Sequence, residues 1–212
     1  MIIIFNGPPG AGKDEAANIF KLHQFEHLSF KEELFKATFT EFCVSEEWFM
    51  AGYDDRTIKE RPEKELRGRS RRQALIYTSE DEIKPKFGKS FFGDKVASRV
   101  TQGRNYVISD GGFSEEVQPL IDKVGAEEVL VIQLTRSGCS FEGDSRRYIN
   151  GDFRQEYAVG GKTKIPAEYI LETKLACPVY RFHNNSSLPD FHTELTKLKR
   201  DINEKKRWGE LF

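Results

Sequence analysis

Apolar residues in this chain fall into short runs separated by longer stretches of helical periodicity. Ile2-Ile3-Ile4-Phe5, Asn105-Tyr106-Val107-Ile108-Ser109 and the segment from Glu128 to Thr135 around Val129-Leu130-Val131-Ile132 are strand-length and mostly apolar, as strands covered on both faces must be. His27-Leu28-Ser29-Phe30 and Val179-Tyr180-Arg181-Phe182 read as two further short strands. Residues 15–22, 31–42, 70–83, 91–100, 113–124 and 190–206 have helix-compatible patterns, and Lys84-Pro85-Lys86-Phe87-Gly88 reads as a break between two of them. Strands alternating with helices predict an α/β fold, a mostly parallel sheet flanked by helices. A chain of 212 residues is long enough for one domain with a full core, expected over 1–208, with 209–212 as a short tail.

The first apolar run leads straight into Gly7-Pro8-Pro9-Gly10-Ala11-Gly12-Lys13-Asp14. The spacing is that of G-x-x-x-x-G-K-[ST], with Asp14 in place of the hydroxyl residue. Glycines let backbone N–H groups turn inward around phosphate oxygens, and the helix that follows aims its positive dipole end at them. Lys13 would reach the β- and γ-phosphates as a point charge. Strand, loop and helix agree, so the segment predicts a nucleoside-triphosphate site. Asp14 would serve the magnesium ion, complement the positive start of the helix, or do both.

Composition narrows the class. At 38% hydrophobic and 12% aromatic the chain is globular, and 17 phenylalanines predict a Phe-rich core. A formal net charge of −1 offers no bulk attraction for nucleic acid. Cys43, Cys139 and Cys177 are far apart, with no CxxC or Cys/His cluster, which suits free thiols in a reducing cytosol better than a zinc site. Histidines 23, 27, 183 and 192 show no metal spacing and read as structural or exposed. The four-residue apolar start is neither a signal peptide nor a membrane span, so a cytoplasmic protein is expected.

Three further regions could carry chemistry. Asp110 ends a strand, where the ligand crevice of a parallel sheet opens; it would take a proton from an attacking hydroxyl, hold magnesium, or cap the next helix. The segment from about 136 to 166 is glycine-punctuated and basic, with Arg136, Arg146, Arg147, Arg154, Lys162 and Lys164, and reads as a closing lid or as a solvated loop. Arg136 and Arg146 are the candidates for stabilising a transferring phosphoryl group. From Arg56 to Arg72, eight cations face three carboxylates, which suits a phosphate or nucleic-acid backbone, or a salt-bridged helical face. Within it Arg71 and Arg72, at the start of an apolar helix, are the candidate substrate contacts.

Taken together, Gly12-Lys13-Asp14, Arg71-Arg72-Gln73-Ala74-Leu75, the acid at the third strand's end and Asn184-Asn185-Ser186-Ser187-Leu188 resemble the bacteriophage deoxynucleoside monophosphate kinases, P-loop enzymes related to thymidylate kinases. The resemblance spans residues 1 to about 205 and implies a P-loop fold with a basic lid; in that family the Asn184–Leu188 turn lies where the nucleotide base is held. Those kinases typically carry Asp-x-Arg at the third strand, the arginine gripping substrate phosphate; here the run is Asp110-Gly111-Gly112-Phe113. That run and Phe141-Glu142-Gly143-Asp144-Ser145-Arg146 look more like the phage 5-hydroxymethyluracil DNA kinases, which act in thymidine hypermodification. The resemblance implies ATP with Mg²⁺, hydroxymethyluracil-containing DNA as acceptor in a phage-infected cytoplasm, Gly7 to Asp14 on the ATP phosphates, Asp110 activating the hydroxyl, and Arg136 and Arg146 at the transition state. The alternatives are a free deoxynucleoside monophosphate as acceptor, or a non-catalytic nucleotide-binding switch with no need of lid arginines.

Overall fold

The computed structural model describes residues 1–22 and 24–208; His23 and the expected tail over 209–212 lie outside the described residues. The chain is α/β. Its sheet has six strands, all pairing in parallel: β1 (Ile2–Asn6), β2 (Glu26–Leu28), β3 (Tyr106–Gly111), β4 (Val129–Thr135), β5 (Tyr148–Val159) and β6 (Ile170–Asn184). Their order is β2-β3-β1-β4-β6-β5, with β1 in the middle. All of β1 is buried, and its side chains alternate between two cores. Ile3 and Phe5 meet Ala16, Ala17 and Phe20 of α1 (Lys13–Lys21) and Phe191, Leu195 and Leu198 of the C-terminal helix on one face. Ile2 and Ile4 meet Phe92, Val96, Val117 and Leu120 on the other.

A helical subdomain is inserted between β2 and β3. It comprises α2 (Lys31–Phe42), α3 (Glu46–Tyr53), α4 (Arg56–Lys59), a 3-10 turn at Lys64–Leu66, α5 (Arg71–Tyr77), α6 (Lys84–Phe87) and α7 (Phe91–Arg99). Ser70 and Gln73 start α5 with a reciprocal capping box. The break expected at residues 84–88 is displaced. A π-helical stretch, Thr78–Ile83, carries α5 on into α6; Pro85 sits in the first turn of α6, where its missing N–H is harmless, and the chain turns only at Gly88, with φ +92°. After β3 come α8 (Ser114–Val124) and, last in the chain, α9 (Leu188–Trp208).

The basic segment within 56–72 folds onto the subdomain's own aromatic core. The Lys59 ammonium lies 3.6 Å from the Tyr53 ring centre, Arg69 lies over Tyr77, and Arg67 covers Phe42 while pairing with Glu41 at 2.8 Å. Arg71 goes deepest. It is 3% exposed, pairs with Glu63 at 2.6 Å, donates to the Phe49 and Trp48 carbonyls and stacks on Trp48. Gly52 makes the room: a Cβ there would lie 2.3 Å from the guanidinium carbon.

The expected lid over 136–166 is also corrected. Residues 136–147 and 160–166 are loop, but 148–159 between them is an edge strand, and 170–184 extends far beyond the short strand expected at 179–182. Tyr148 to Val159 reads as loop because it is polar and contains Gly151, but an edge strand faces solvent and tolerates such a pattern.

Arg71→Ala is expected to cost about 3–5 kcal/mol, because Glu63 and two carbonyls would lose a buried partner. The neighbouring Arg72→Ala should stay within about 0.5 kcal/mol, since Arg72 is 45% exposed with only distant partners. Urea unfolding midpoints of the two variants check this; equal effects would place Arg71 outside the core.

Candidate phosphate-transfer site

Strand order reverses at β1, whose neighbours β3 and β4 lead to opposite edges of the sheet. The carboxyl end of β1 is therefore the switch point of the fold, where open parallel sheets bind ligands. The Gly7–Asp14 loop springs from it. Gly7 is pressed against β4, where a Cβ would meet the Leu134 carbonyl oxygen at 2.3 Å. Gly10 and Gly12 take φ +81° and +101°, in the left-handed region that other residues avoid. Gly12 is also the N-cap of α1, so the loop ends on the open N–H groups of the helix. From the far side, Asn184 at the end of β6 donates to the Ala11 carbonyl at 3.0 Å, while its Oδ1 is buried without a partner.

Lys13 points inward. It is 9% exposed, and Nζ donates to the Pro8 carbonyl at 2.8 Å. Burial, and then the charge of Arg146, lower its pKa to about 8. Arg146 arrives from the 136–147 loop with a two-pronged grip on Asp144, Nε to Oδ1 at 3.0 Å and NH2 to Oδ2 at 2.6 Å. Its stem crosses Gly112, where a Cβ would lie 2.5–2.7 Å from three of its carbons. Thus the loop's arginine lies over the glycine just past the end of β3. The loop's start rests on the glycine loop through Cys139, whose sulfur would be 3.2 Å from a Cβ at Gly10. Asn6 fastens its end, donating to the Arg147 and Gly111 carbonyls and accepting from the Ile149 N–H at 2.7 Å.

The remaining expected residues divide. Asp14 is exposed in the first turn of α1 and, among the described residues, has neither hydrogen bond nor ion pair, so its oxygens are open to a cation. Arg136 is exposed at the end of β4. Arg72 reaches from α5 to the Gly143 carbonyl at 3.4 Å, joining the helical subdomain to the 136–147 loop. Asp110 is corrected: its carboxylate holds the start of α2, accepting from Ser29 Oγ at 2.7 Å, Phe30 N–H at 3.2 Å and Lys31 N–H at 2.9 Å. Most of its lone pairs are taken up, and the helix it serves is α2 rather than α8. Arg71 is corrected too, since its burial keeps it from any substrate. Arg147 binds the Asp144 and Arg146 carbonyls, while Arg154 and Lys162 are engaged by Asp152 and Glu156 on β5.

Asp144, Asn6 and Glu116 escape sequence reasoning. Asp144 stands two residues from Arg146 in a polar loop, Asn6 is the polar stop of an apolar strand, and Glu116 occupies an apolar-face position of α8 beside Val117 and Leu120. Burial, and then the charge of Asp110, push the Glu116 carboxyl up to about 8. A cleft of about 530 Å³ between α7, α8 and β6, lined in part by Asp94, Ser114, Gln118 and Thr173, includes none of the expected site residues. No protein-family model matches the chain, nor does any curated protein.

Glycine-shaped backbone, a helix N-terminus, the buried Lys13 and the partly buried Arg146 make an arrangement suited to phosphate oxygens. If Lys13 meets them, ATP binds its charged form only. Affinity should then fall by roughly tenfold per pH unit above about 8 in the wild type, and be weak and flat in Lys13→Ala. Calorimetric titration with ATP from pH 7 to 9.5 measures this, and a flat wild-type profile would remove Lys13 from the phosphates.

Proposed function

We propose that the chain is a P-loop kinase that transfers the γ-phosphoryl group of ATP to the hydroxymethyl group of 5-hydroxymethyluracil in DNA. The Gly7–Asp14 loop receives the triphosphate, and Lys13 gives up the Pro8 carbonyl for the β- and γ-oxygens. Asp14 would hold the magnesium ion, which would neutralise charge on those oxygens. Arg146 and Arg136 stabilise the phosphoryl group in flight, and Asp110 keeps Ser29 to Lys31 and the start of α2 beside it.

One observation favours an alcohol over a monophosphate acceptor. Two of the three expected grips on a substrate phosphate are missing: Arg71 is buried against Glu63, and position 112 is a glycine covered by the stem of Arg146. A hydroxyl acceptor needs no such grip. The second reading, a deoxynucleoside monophosphate kinase, draws on Arg72, which is half-exposed and reaches the 136–147 loop. A binding switch has little use for the Arg146–Asp144 clamp beside Lys13.

The test offers ATP labelled at the γ-phosphate to hydroxymethyluracil-containing DNA and, separately, to each deoxynucleoside monophosphate. Label in the DNA, lost in Lys13→Ala, is the expected result. Label confined to mononucleotides would establish the second reading, and label in neither would leave a binding protein.

A further inference from the structure

Asn184, the last residue of β6, grips the glycine loop at Ala11, and the next residue, Asn185, grips two other loops. Asn185 Oδ1 accepts from the Ser137 N–H at 2.7 Å, while Nδ2 donates to the Gly161 carbonyl at 2.9 Å and to Thr163 Oγ1 at 2.8 Å. Both amide hydrogens are thus spent within the chain, which leaves the side chain no donor for a nucleotide base. Its backbone is fixed as well. The Asn185 N–H donates to the Val159 carbonyl at 2.9 Å, and a Cβ at Gly160 would come 2.0 Å from the Asn185 carbonyl oxygen. The 160–163 turn has a second anchor, since the Thr163 N–H donates to Nδ1 of the buried His183 at 3.1 Å. Ser137, for its part, is the second residue of a tight turn at the head of the 136–147 loop. The Cys139 N–H donates to the Arg136 carbonyl at 3.1 Å, and Gly138 supplies φ +78° at the third position. At its far end this turn meets the glycine loop, where the Cys139 sulfur would be 3.2 Å from a Cβ at Gly10. Arg136 therefore opens a turn fastened at two points, to Asn185 on one side and against Gly10 on the other.

We propose that Asn185 is a positioning residue for Arg136, an assignment that rests on the phosphoryl-transfer reading above. By holding the Ser137 N–H, Asn185 sets the direction in which Arg136 leaves β4, and with it the reach of the guanidinium relative to the glycine loop. A guanidinium stabilises a transferring phosphoryl group only from the right place, and a long side chain has much rotamer freedom to lose. A fixed backbone at its root reduces that loss and supplies part of the preorganisation. The same amide ties this turn to the 160–163 turn, so the loops that follow β4 and β5 hold one position together. A turn expected to hold the nucleotide base is thus assigned, at Asn185, to the phosphate end of the site.

The experiment is a double-mutant cycle of Asn185→Ala and Arg136→Ala, run with whichever acceptor takes up label. It measures kcat, ATP affinity and the ratio of rates with ATP and GTP. Asn185→Ala should lower kcat by about 10- to 10²-fold, while ATP affinity and the ATP-to-GTP ratio stay within about twofold of wild type. In the Arg136→Ala background the same change should cost less than about twofold, because the group it positions is gone. Asn185→Asp keeps an acceptor for the Ser137 N–H and gives up the donor to Gly161, so it should recover most of kcat; it also guards against a variant that fails to fold. Wild-type kcat in Asn185→Ala, additive losses in the cycle, an Asp variant no more active than the Ala variant, or a changed ATP-to-GTP ratio would each overturn the assignment while leaving the kinase reading intact. A wild-type protein that labels no acceptor would defeat the kinase reading and the assignment with it.

Discussion

The site turns on one buried ammonium. Lys13 is drawn into a glycine loop at the centre of the sheet, with the Arg146 guanidinium close enough to lower its pKa. Two cations drawn together in a poorly solvated pocket repel each other, and only partial compensation is present: the Pro8 carbonyl for one, the Asp144 carboxylate for the other. Such an arrangement is tolerable at the switch point because the fold over-determines it. Lys13, met only by a neutral carbonyl, is the charge that an anion at the loop would relieve.

Several contacts that look unrelated serve to hold those two cations in place. Gly7 lets β1 and β4 close on the loop, Asn184 braces Ala11 from β6, and Asn6 ties the end of the 136–147 loop across β1 and β3. Gly112 then accommodates the Arg146 stem. Asp110 fixes the approach of the helical subdomain, whose aromatic residues carry Lys59, Arg67, Arg69 and Arg71 on their rings. Charge density in the sequence thus does not tell which cation is free and which is built into the fold. Arg71 makes the point, being both the most buried of these cations and one of the two singled out as a substrate contact.

Periodicity and spacing made the sheet's inner strands, the glycine loop, α2 and α8 legible, because buried parallel strands and a glycine-rich turn from strand to helix leave local signatures. The far side of the sheet was legible only in part. The strand expected at 179–182 is the buried stretch of β6, whereas β5 is polar, which its edge position allows, and pairs with β6 in irregular register. Pro85 was misread for a related reason, since its effect depends on where a helix begins. In the site, Lys13 and Arg146 were visible as residue types at motif positions. Asp144 was not, because an acidic residue in a polar loop acquires meaning only when its partner is known.

The most direct test is a structure determined with a non-hydrolysable ATP analogue. A triphosphate held by this loop requires Lys13 Nζ to leave the Pro8 carbonyl and contact the β- and γ-phosphates, with the N–H groups at the start of α1 facing the same oxygens. An analogue bound elsewhere, with the bond between Lys13 and Pro8 intact, would contradict it.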